Sequence, residues 1–141
     1  MTDLHQPTIT LIAAALLGLI FAVLCVLVVL QRGKYKVNLG SGEIPAAATD
    51  PASSPLLVAV RSQANFAEYV PLILLLVGLI ELRTGPTLLV KLLAFGLVLA
   101  RAMHPLGMKL PAPNPFRAGG FVLSLLILLA ASVEALRLTL L

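Results

Sequence analysis

The chain has 141 residues, of which 60% are hydrophobic and 11% are charged, and its mean hydropathy is +1.05. This composition excludes an ordinary soluble domain and indicates one transmembrane domain covering residues 1–141. The net charge of +4 fits the basic cytoplasmic loops of membrane proteins. We expect no nucleic-acid partner, because no basic tract carries interleaved aromatic residues. The single cysteine, Cys25, excludes a disulfide within the chain.

The first predicted helix covers about residues 8–30, carries no charge and is long enough to span a bilayer. A cleaved signal peptide is the competing interpretation. It needs a basic start and a shorter apolar core, whereas Asp3 and His5 precede this run. We therefore expect a retained transmembrane helix. A predicted loop of about residues 31–55 follows, basic at its start and then rich in Gly, Pro and Ser, as is typical of a linker.

The second predicted helix, about residues 56–83, is unusual because polar side chains crowd its first half. Its apolar run from Val70 to Ile80 is only about 16 Å long, against about 30 Å for a bilayer core. The polar stretch therefore lies at or below the headgroups, where polar side chains persist when they face protein, water or a ligand. At about 100° per residue, one stripe of this helix holds Arg61, Asn65, Glu68 and Leu72, with Tyr69 beside it and Gln63 pointing elsewhere.

The third and fourth predicted helices cover about residues 87–104 and 118–136. Arg101 and His104 are three apart and share a face near the end of the third helix. We expect Pro105 and Gly107 to terminate that helix, and the proline-rich segment 105–117 to form a loop. The small residues at the start of the fourth helix permit close helix approach; they are Gly119 and Gly120.

Four spans place both termini on one side of the membrane. Most Lys and Arg residues map to the side of the two long loops. The positive-inside rule then predicts that loops 31–55 and 105–117 are cytoplasmic and that both termini are outside.

The arginines that can reach the cytoplasmic membrane surface predict an anion-binding pocket there. Arginine stays charged and binds carboxylates bidentately, so a small zwitterion with several carboxylates and one amine would suit the set. The candidate arginines are Arg32, Arg61, Arg101 and Arg117, and the other candidate contacts are Gln63, Asn65, Glu68 and Tyr69.

Each of these side chains also has a purely structural alternative. Arg61 and Glu68 are seven apart on one stripe and could form an ion pair that only pins helices. Arg101 could cap the end of the third helix, and His104 could be an interfacial histidine without a partner. Lys34 and Lys36 are interpreted as topology signals bound to lipid phosphates.

The motif Arg61-Ser-Gln-Ala-Asn-Phe-Ala-Glu-Tyr-Val-Pro71 resembles the second-helix signature of the MAPEG family, the membrane-associated proteins of eicosanoid and glutathione metabolism. The resemblance extends to the four-helix plan, the basic end of the first helix, and the segment from Ala100 to Gly107. The chain is similar to the family's bacterial members that resemble microsomal glutathione transferases. It implies an all-α membrane bundle assembled as a homotrimer in a bacterial inner membrane.

The resemblance also implies glutathione as the co-substrate, with no metal. Glutathione would lie between neighbouring subunits, contacted by Arg61, Gln63, Asn65, Glu68 and Tyr69, with Arg32 coming from the adjacent subunit. His104 and Met108 stand where leukotriene C synthases carry tyrosines that hold glutathione. We expect His104 to contact the ligand in their place.

The implied activity is transfer of glutathione to lipophilic electrophiles, or reduction of them, with the thiolate as nucleophile. Arg117 or Arg101 would favour the thiolate over the thiol. The alternative is a protein of the same fold that binds glutathione or a lipid without catalysis. A transport role lacks support, because the sequence shows no inverted repeat.

Overall fold

Four long α-helices form the structure, a computed structural model that describes residues 4–40, 54–111 and 113–140. The helices are α1 (Thr8–Tyr35), α2 (Pro55–Thr84), α3 (Leu88–Met108) and α4 (Pro115–Leu140). Each is long and apolar enough to cross a membrane. The predicted all-α, four-helix membrane bundle is therefore confirmed. We call the end where α1 and α3 finish and α2 and α4 start the loop end, and the opposite end the termini end.

Helix α1 is longer than predicted. It continues past Leu30 to Tyr35, so that Arg32 and Lys34 lie in its last turn and Lys36 caps it in the left-handed conformation, with φ of 54°. Cations are favourable at a helix C-terminus, so the helix does not stop where its apolar run stops. Residues 41–53 of the predicted loop lie outside the described part of the chain.

The connection between α3 and α4 is shorter than the predicted loop 105–117. The expectation that Pro105 and Gly107 end α3 is wrong, because the helix runs through both to Met108. Proline removes one backbone hydrogen bond, but this turn is held from outside: Asn114 Nδ2 donates to the Gly107 carbonyl at 2.8 Å.

Helix α4 starts at Pro115 instead of residue 118. The side chain of Asn114 caps it, since Oδ1 accepts the backbone N–H of Arg117 at 2.9 Å. Proline suits the first position of a helix, where its missing N–H would have had no partner. Asn114 thus joins the end of α3 to the start of α4.

Two glycines bring α3 and α4 into backbone contact. A Cβ on Gly107 would collide with the backbone of Arg117, whose Cα would lie 2.6 Å away, and a Cβ on Gly120 would lie 2.8 Å from the Ala100 carbonyl oxygen. The prediction that small residues at the start of α4 permit close approach is therefore confirmed for Gly120. Gly119 has room, since its nearest neighbour would be Met103 Cε at 3.7 Å.

Replacing Gly107 with alanine is expected to lower the free energy of unfolding by about 1–3 kcal/mol, because the added methyl group must push backbone atoms apart. Gly119→Ala is the matched control and is expected to be neutral or stabilising, since alanine favours helix over glycine. Unfolding in detergent by circular dichroism measures both. Equal behaviour of the two variants would contradict the close contact.

The buried core lies along the middle of the bundle, where apolar side chains of all four helices meet. It includes Ala13, Leu17, Leu24, Phe66, Val70, Ile73, Val77, Ile80, Val90, Leu93, Ala94, Leu97, Ile127 and Ala131. Many large apolar residues point outward, as on the lipid-facing surface of a membrane protein. Helix α2 contacts the other three helices, so its side chains can take part in contacts with each of them.

At the termini end, Glu81 of α2 holds the start of α1. Its carboxylate is fully buried. Oε1 accepts the backbone N–H of Ile9 at 2.8 Å, and Oε2 accepts both the N–H and the hydroxyl of Thr10 at 2.7 Å each. The first N–H groups of a helix have no partner within it, and negative charge is favourable there. Glu81 therefore caps a helix that lies 71 or 72 positions away in the chain.

Candidate functional site

A cavity of about 540 Å³ opens at the loop end between α2, α3 and α4. This volume is within the usual range for a small-molecule site. The nine residues that line it are Arg61, Asn65, His104, Met108, Pro113, Asn114, Arg117, Ala118 and Phe121. Four of the predicted site residues, from three helices, thus surround one space: Arg61, Asn65, His104 and Arg117.

Asn65 is held in the wall of this cavity by Arg101, which lies behind it and is almost fully buried. Nη1 of Arg101 donates to Asn65 Oδ1 at 2.9 Å. Nη2 donates to the Gly120 carbonyl at 3.1 Å and to the Ser124 hydroxyl. Arg101 therefore connects α2 to α4 from its position on α3. The alternative in which Arg101 caps the end of α3 is therefore wrong.

The burial of Arg101 is unusual because all of these acceptors are neutral. Its guanidinium carbon also lies 5.6 Å from the ring centroid of Tyr69, a cation–π distance. Tyr69 in turn meets Phe121 edge to face, with centroids 6.0 Å apart. A buried cation that faces only neutral groups is costly and raises the positive potential of the neighbouring cavity.

The cavity itself is cationic. Arg61 is exposed and Arg117 is half-buried, and both line it. Among residues 4–40, 54–111 and 113–140 the only ion pair is Arg137–Glu134, near the termini end. The alternative ion pair between Arg61 and Glu68 is therefore not formed in this structure.

Besides Arg101, four more predicted site residues lie away from the cavity lining. Tyr69 reaches it only through Phe121 and Arg101. Glu68 lies on the same stripe of α2 as Arg61 and Asn65, but it is exposed and does not line the cavity. Gln63 faces α1, where its Nε2 lies 3.9 Å from Cys25 Sγ. Arg32 lies at the end of α1, and its Nη1 is buried without a hydrogen-bond partner in the described part of the chain.

Two functional side chains were missed in the sequence. Asn114 both lines the cavity and caps the helix that carries Arg117; the Asn-Pro pair before Arg117 is the signal that could have found it. Ser124 binds Arg101 and also donates to the Gly120 carbonyl at 2.8 Å. Nothing in the local sequence distinguishes Ser124 from Ser132, whose hydroxyl bonds its own helix in the same way.

This arrangement can bind a small anion with two separated negative groups. Two guanidinium groups approach the space from α2 and α4, and each can hold a carboxylate through paired hydrogen bonds. Asn65 and His104 add neutral hydrogen-bonding groups, and Met108, Ala118 and Phe121 supply apolar surface.

A family model described as "MAPEG family" matches residues 10–137, which is nearly the whole chain. Neither the curated proteins nor the solved structures compared with this chain give a match. The matched range contains all four helices except the outermost residues of α1 and α4.

Proposed function

Because the chain belongs to the MAPEG family, we propose that it is a membrane-bound glutathione transferase or peroxidase, and that the cavity at the loop end binds glutathione. Members of this family are membrane proteins of eicosanoid and glutathione metabolism. Glutathione carries two carboxylates, one ammonium group and a thiol. It therefore matches a cationic cavity with neutral hydrogen-bonding groups between the charges.

One observation carries the proposal: Arg61 and Arg117 line the same cavity from different helices, and no carboxylate of the described residues pairs with either. Arg61 is the more exposed of the two, which suits a carboxylate that arrives from water. Arg117 is half-buried beside Ala118 and Phe121. A guanidinium that is poorly hydrated interacts more strongly with an anion. We therefore assign Arg117 to the thiolate sulfur of glutathione.

The chemistry then follows from the position of Arg117. Its guanidinium stabilises the thiolate of glutathione relative to the thiol. The thiolate attacks the electrophilic carbon of an apolar substrate and the leaving group departs with its electron pair. With a hydroperoxide, the thiolate attacks the distal oxygen, the O–O bond breaks, and the alkoxide leaves and takes up a proton. The resulting glutathione sulfenic acid reacts with a second glutathione thiol to give the disulfide and water. Met108 and Phe121 offer the apolar contact that such substrates need.

We extend the proposal to the predicted site residues that lie outside this cavity. A homotrimer would bring Arg32 and Gln63 of one subunit to the glutathione of its neighbour, and Glu68 would take the ammonium group. The partnerless buried Nη1 of Arg32 supports a missing partner at this position. Apolar grooves along α1 and α2, lined by residues such as Ala14, Phe21 and Leu74, offer surface for subunit contact. We propose a bacterial inner membrane, with cytoplasmic long loops and external termini.

The test is conjugation of chlorodinitrobenzene by the purified chain, with reduction of an organic hydroperoxide as a second assay. Arg117→Ala is expected to lower kcat about 100-fold, because a group that stabilises developing negative charge is lost. Arg61→Ala is expected to weaken glutathione binding about 10- to 100-fold with a smaller effect on kcat, because it removes a charge-assisted hydrogen bond to a carboxylate. Calorimetric titration with glutathione and with its methyl ester measures the binding.

Arg83→Ala and Arg137→Ala are the matched controls, since each removes an arginine from the termini end of the same helix. Both are expected to behave as the native protein. Glutathione binding without turnover on either substrate would identify the non-catalytic alternative. Equal binding of glutathione and its methyl ester would exclude recognition by arginine.

A further inference from the structure

A second cavity, of about 520 Å³, lies at the loop end on the other side of α2 and α3. Its walls are formed by α1, α2 and α3, and it shares no lining residue with the arginine-lined cavity. Two faces of α2 line the two cavities. Arg61 and Asn65 face the arginine-lined cavity, and the second cavity is lined by Val58, Ala59 and Ser62. Helices α2 and α3 therefore separate a cationic cavity from a largely apolar one.

Small side chains leave this second cavity unfilled. Ala59 and Ser62 line it from α2 and Ala102 from α3, opposite a row of large apolar residues on α1 that includes Ile20, Leu24 and Leu27. The lining of α1 extends from Ile20 to Gln31, which is about 16 Å along the helix axis. The lining is therefore long enough to accompany an extended alkyl chain.

The cavity opens on the outer surface of the four-helix bundle. Two of its lining residues lie on the outer surface of the bundle, where Val23 is 60% exposed and Leu106 is 58% exposed. A guest with an apolar chain can therefore enter sideways from the bilayer without passing through water.

Polar groups are concentrated at the rim. Lys109, the residue that follows the last turn of α3, brings a cation to the opening. Gln31, near the end of α1, has its side-chain oxygen buried with no hydrogen-bond donor among residues 4–40, 54–111 and 113–140. A buried acceptor without a donor destabilises the empty protein. The rim therefore needs a guest with one negative charge and one hydrogen-bond donor.

We propose that this cavity binds an anionic single-chain lipid whose headgroup carries hydroxyl groups, of the lysophosphatidylglycerol type. The acyl chain lies between α1, α2 and α3 with its end near Ile20. The phosphate meets Lys109, and a headgroup hydroxyl donates to the Gln31 oxygen. The site is independent of the proposed glutathione chemistry.

The test uses the full chain in a neutral detergent, titrated with myristoyl-lysophosphatidylglycerol while the midpoint of thermal unfolding, Tm, is followed. Tm is expected to rise with lipid concentration. Lys109→Gln is expected to weaken the apparent affinity about tenfold, the effect of losing roughly one charge-assisted contact. Lys91→Gln, at the other end of α3, is the matched control and should titrate as the native chain does.

Two further variants separate binding from folding. Ala102→Phe adds bulk at an exposed position of the cavity wall and is expected to abolish the lipid response while leaving the response to glutathione intact. Gln31→Leu is expected to raise Tm without lipid, because it removes the partnerless oxygen, and to reduce the lipid-dependent rise.

The proposal is overturned if lysophosphatidylcholine or inorganic phosphate raises Tm as much as the anionic lipid does. It is also overturned if Ala102→Phe and Ala59→Phe both keep the full lipid response, or if Gln31→Leu lowers the lipid-free Tm. Loss of the glutathione response with retention of the lipid response would contradict only the proposed glutathione site.

Discussion

Replacing Glu81 with alanine is expected to lower the free energy of unfolding by about 3–5 kcal/mol. The substitution leaves the N–H groups of Ile9 and Thr10 and the Thr10 hydroxyl without their acceptor. A buried donor that loses its partner costs about 1–3 kcal/mol. These three donors are part-buried around the fully buried Glu81 side chain, which places the expected total near the low end of that sum. Reversible unfolding in mixed micelles, followed by circular dichroism, measures the loss.

Two milder variants grade this effect. Glu81→Gln keeps one acceptor oxygen but turns an N–H₂ group towards a backbone donor, so its loss should lie between those of the native protein and Glu81→Ala. Thr10→Val removes only the hydroxyl contact and should cost the least of the three. A Glu81→Ala protein as stable as the native one would show that this cap does not hold α1 in the folded state.

Replacing Arg101 with alanine is expected to lower the free energy of unfolding by about 2–5 kcal/mol, because it empties a buried volume and removes the hydrogen bonds that join α2 to α4. Glutathione binding is expected to weaken at least about tenfold as well, a change of about 1.4 kcal/mol. Asn65 loses the donor that orients it in the cavity wall, and the cavity loses a neighbouring cation. Chemical unfolding and calorimetric titration measure the two effects separately.

Conservative and distant variants identify which property of Arg101 matters. Arg101→Lys keeps the positive charge but not the planar arrangement of donors. If the positive potential of Arg101 contributes more to binding than its hydrogen bonds do, Arg101→Lys should keep more of the glutathione affinity than Arg101→Met. Ser124→Ala removes one acceptor of Arg101, whereas Ser132→Ala removes a serine that bonds only its own helix. An equal, small effect of both serine variants would contradict the role of Ser124 in holding Arg101.

The apolar stretches and the helix periodicity were together sufficient to predict the four-helix architecture. Four apolar stretches of spanning length predicted four helices, and the angular positions of Arg61 and Asn65 correctly placed them on one face of α2. His104 and Arg117 line one cavity because α3 ends and α4 begins at the loop end. The length of a helix and the face on which a residue lies depend only on a short stretch of sequence.

The contacts that join distant segments were not predictable in the same way. Glu81 caps α1 from 71 or 72 residues away, and periodicity does not encode which helix end a carboxylate will meet. Arg101 illustrates the same limit. Its position in the sequence predicts the face of α3 on which it lies, but its donors reach α4 because the two helices pack closely at Gly120. The extension of α3 through Pro105 likewise depends on Asn114, which lies between α3 and α4 and caps the start of α4.

The cap on α1 has a consequence for how guests reach the bundle. Helix α1 contains 28 residues and is therefore about 42 Å long, and Glu81 anchors it at one extremity. A rod fixed at one extremity swings most at the other, so small tilting motions of α1 displace Gln31 far more than Thr10. Any tilt of α1 about the Glu81 contacts would therefore change the width of the gap beside Gln31 more than the spacing at Thr10.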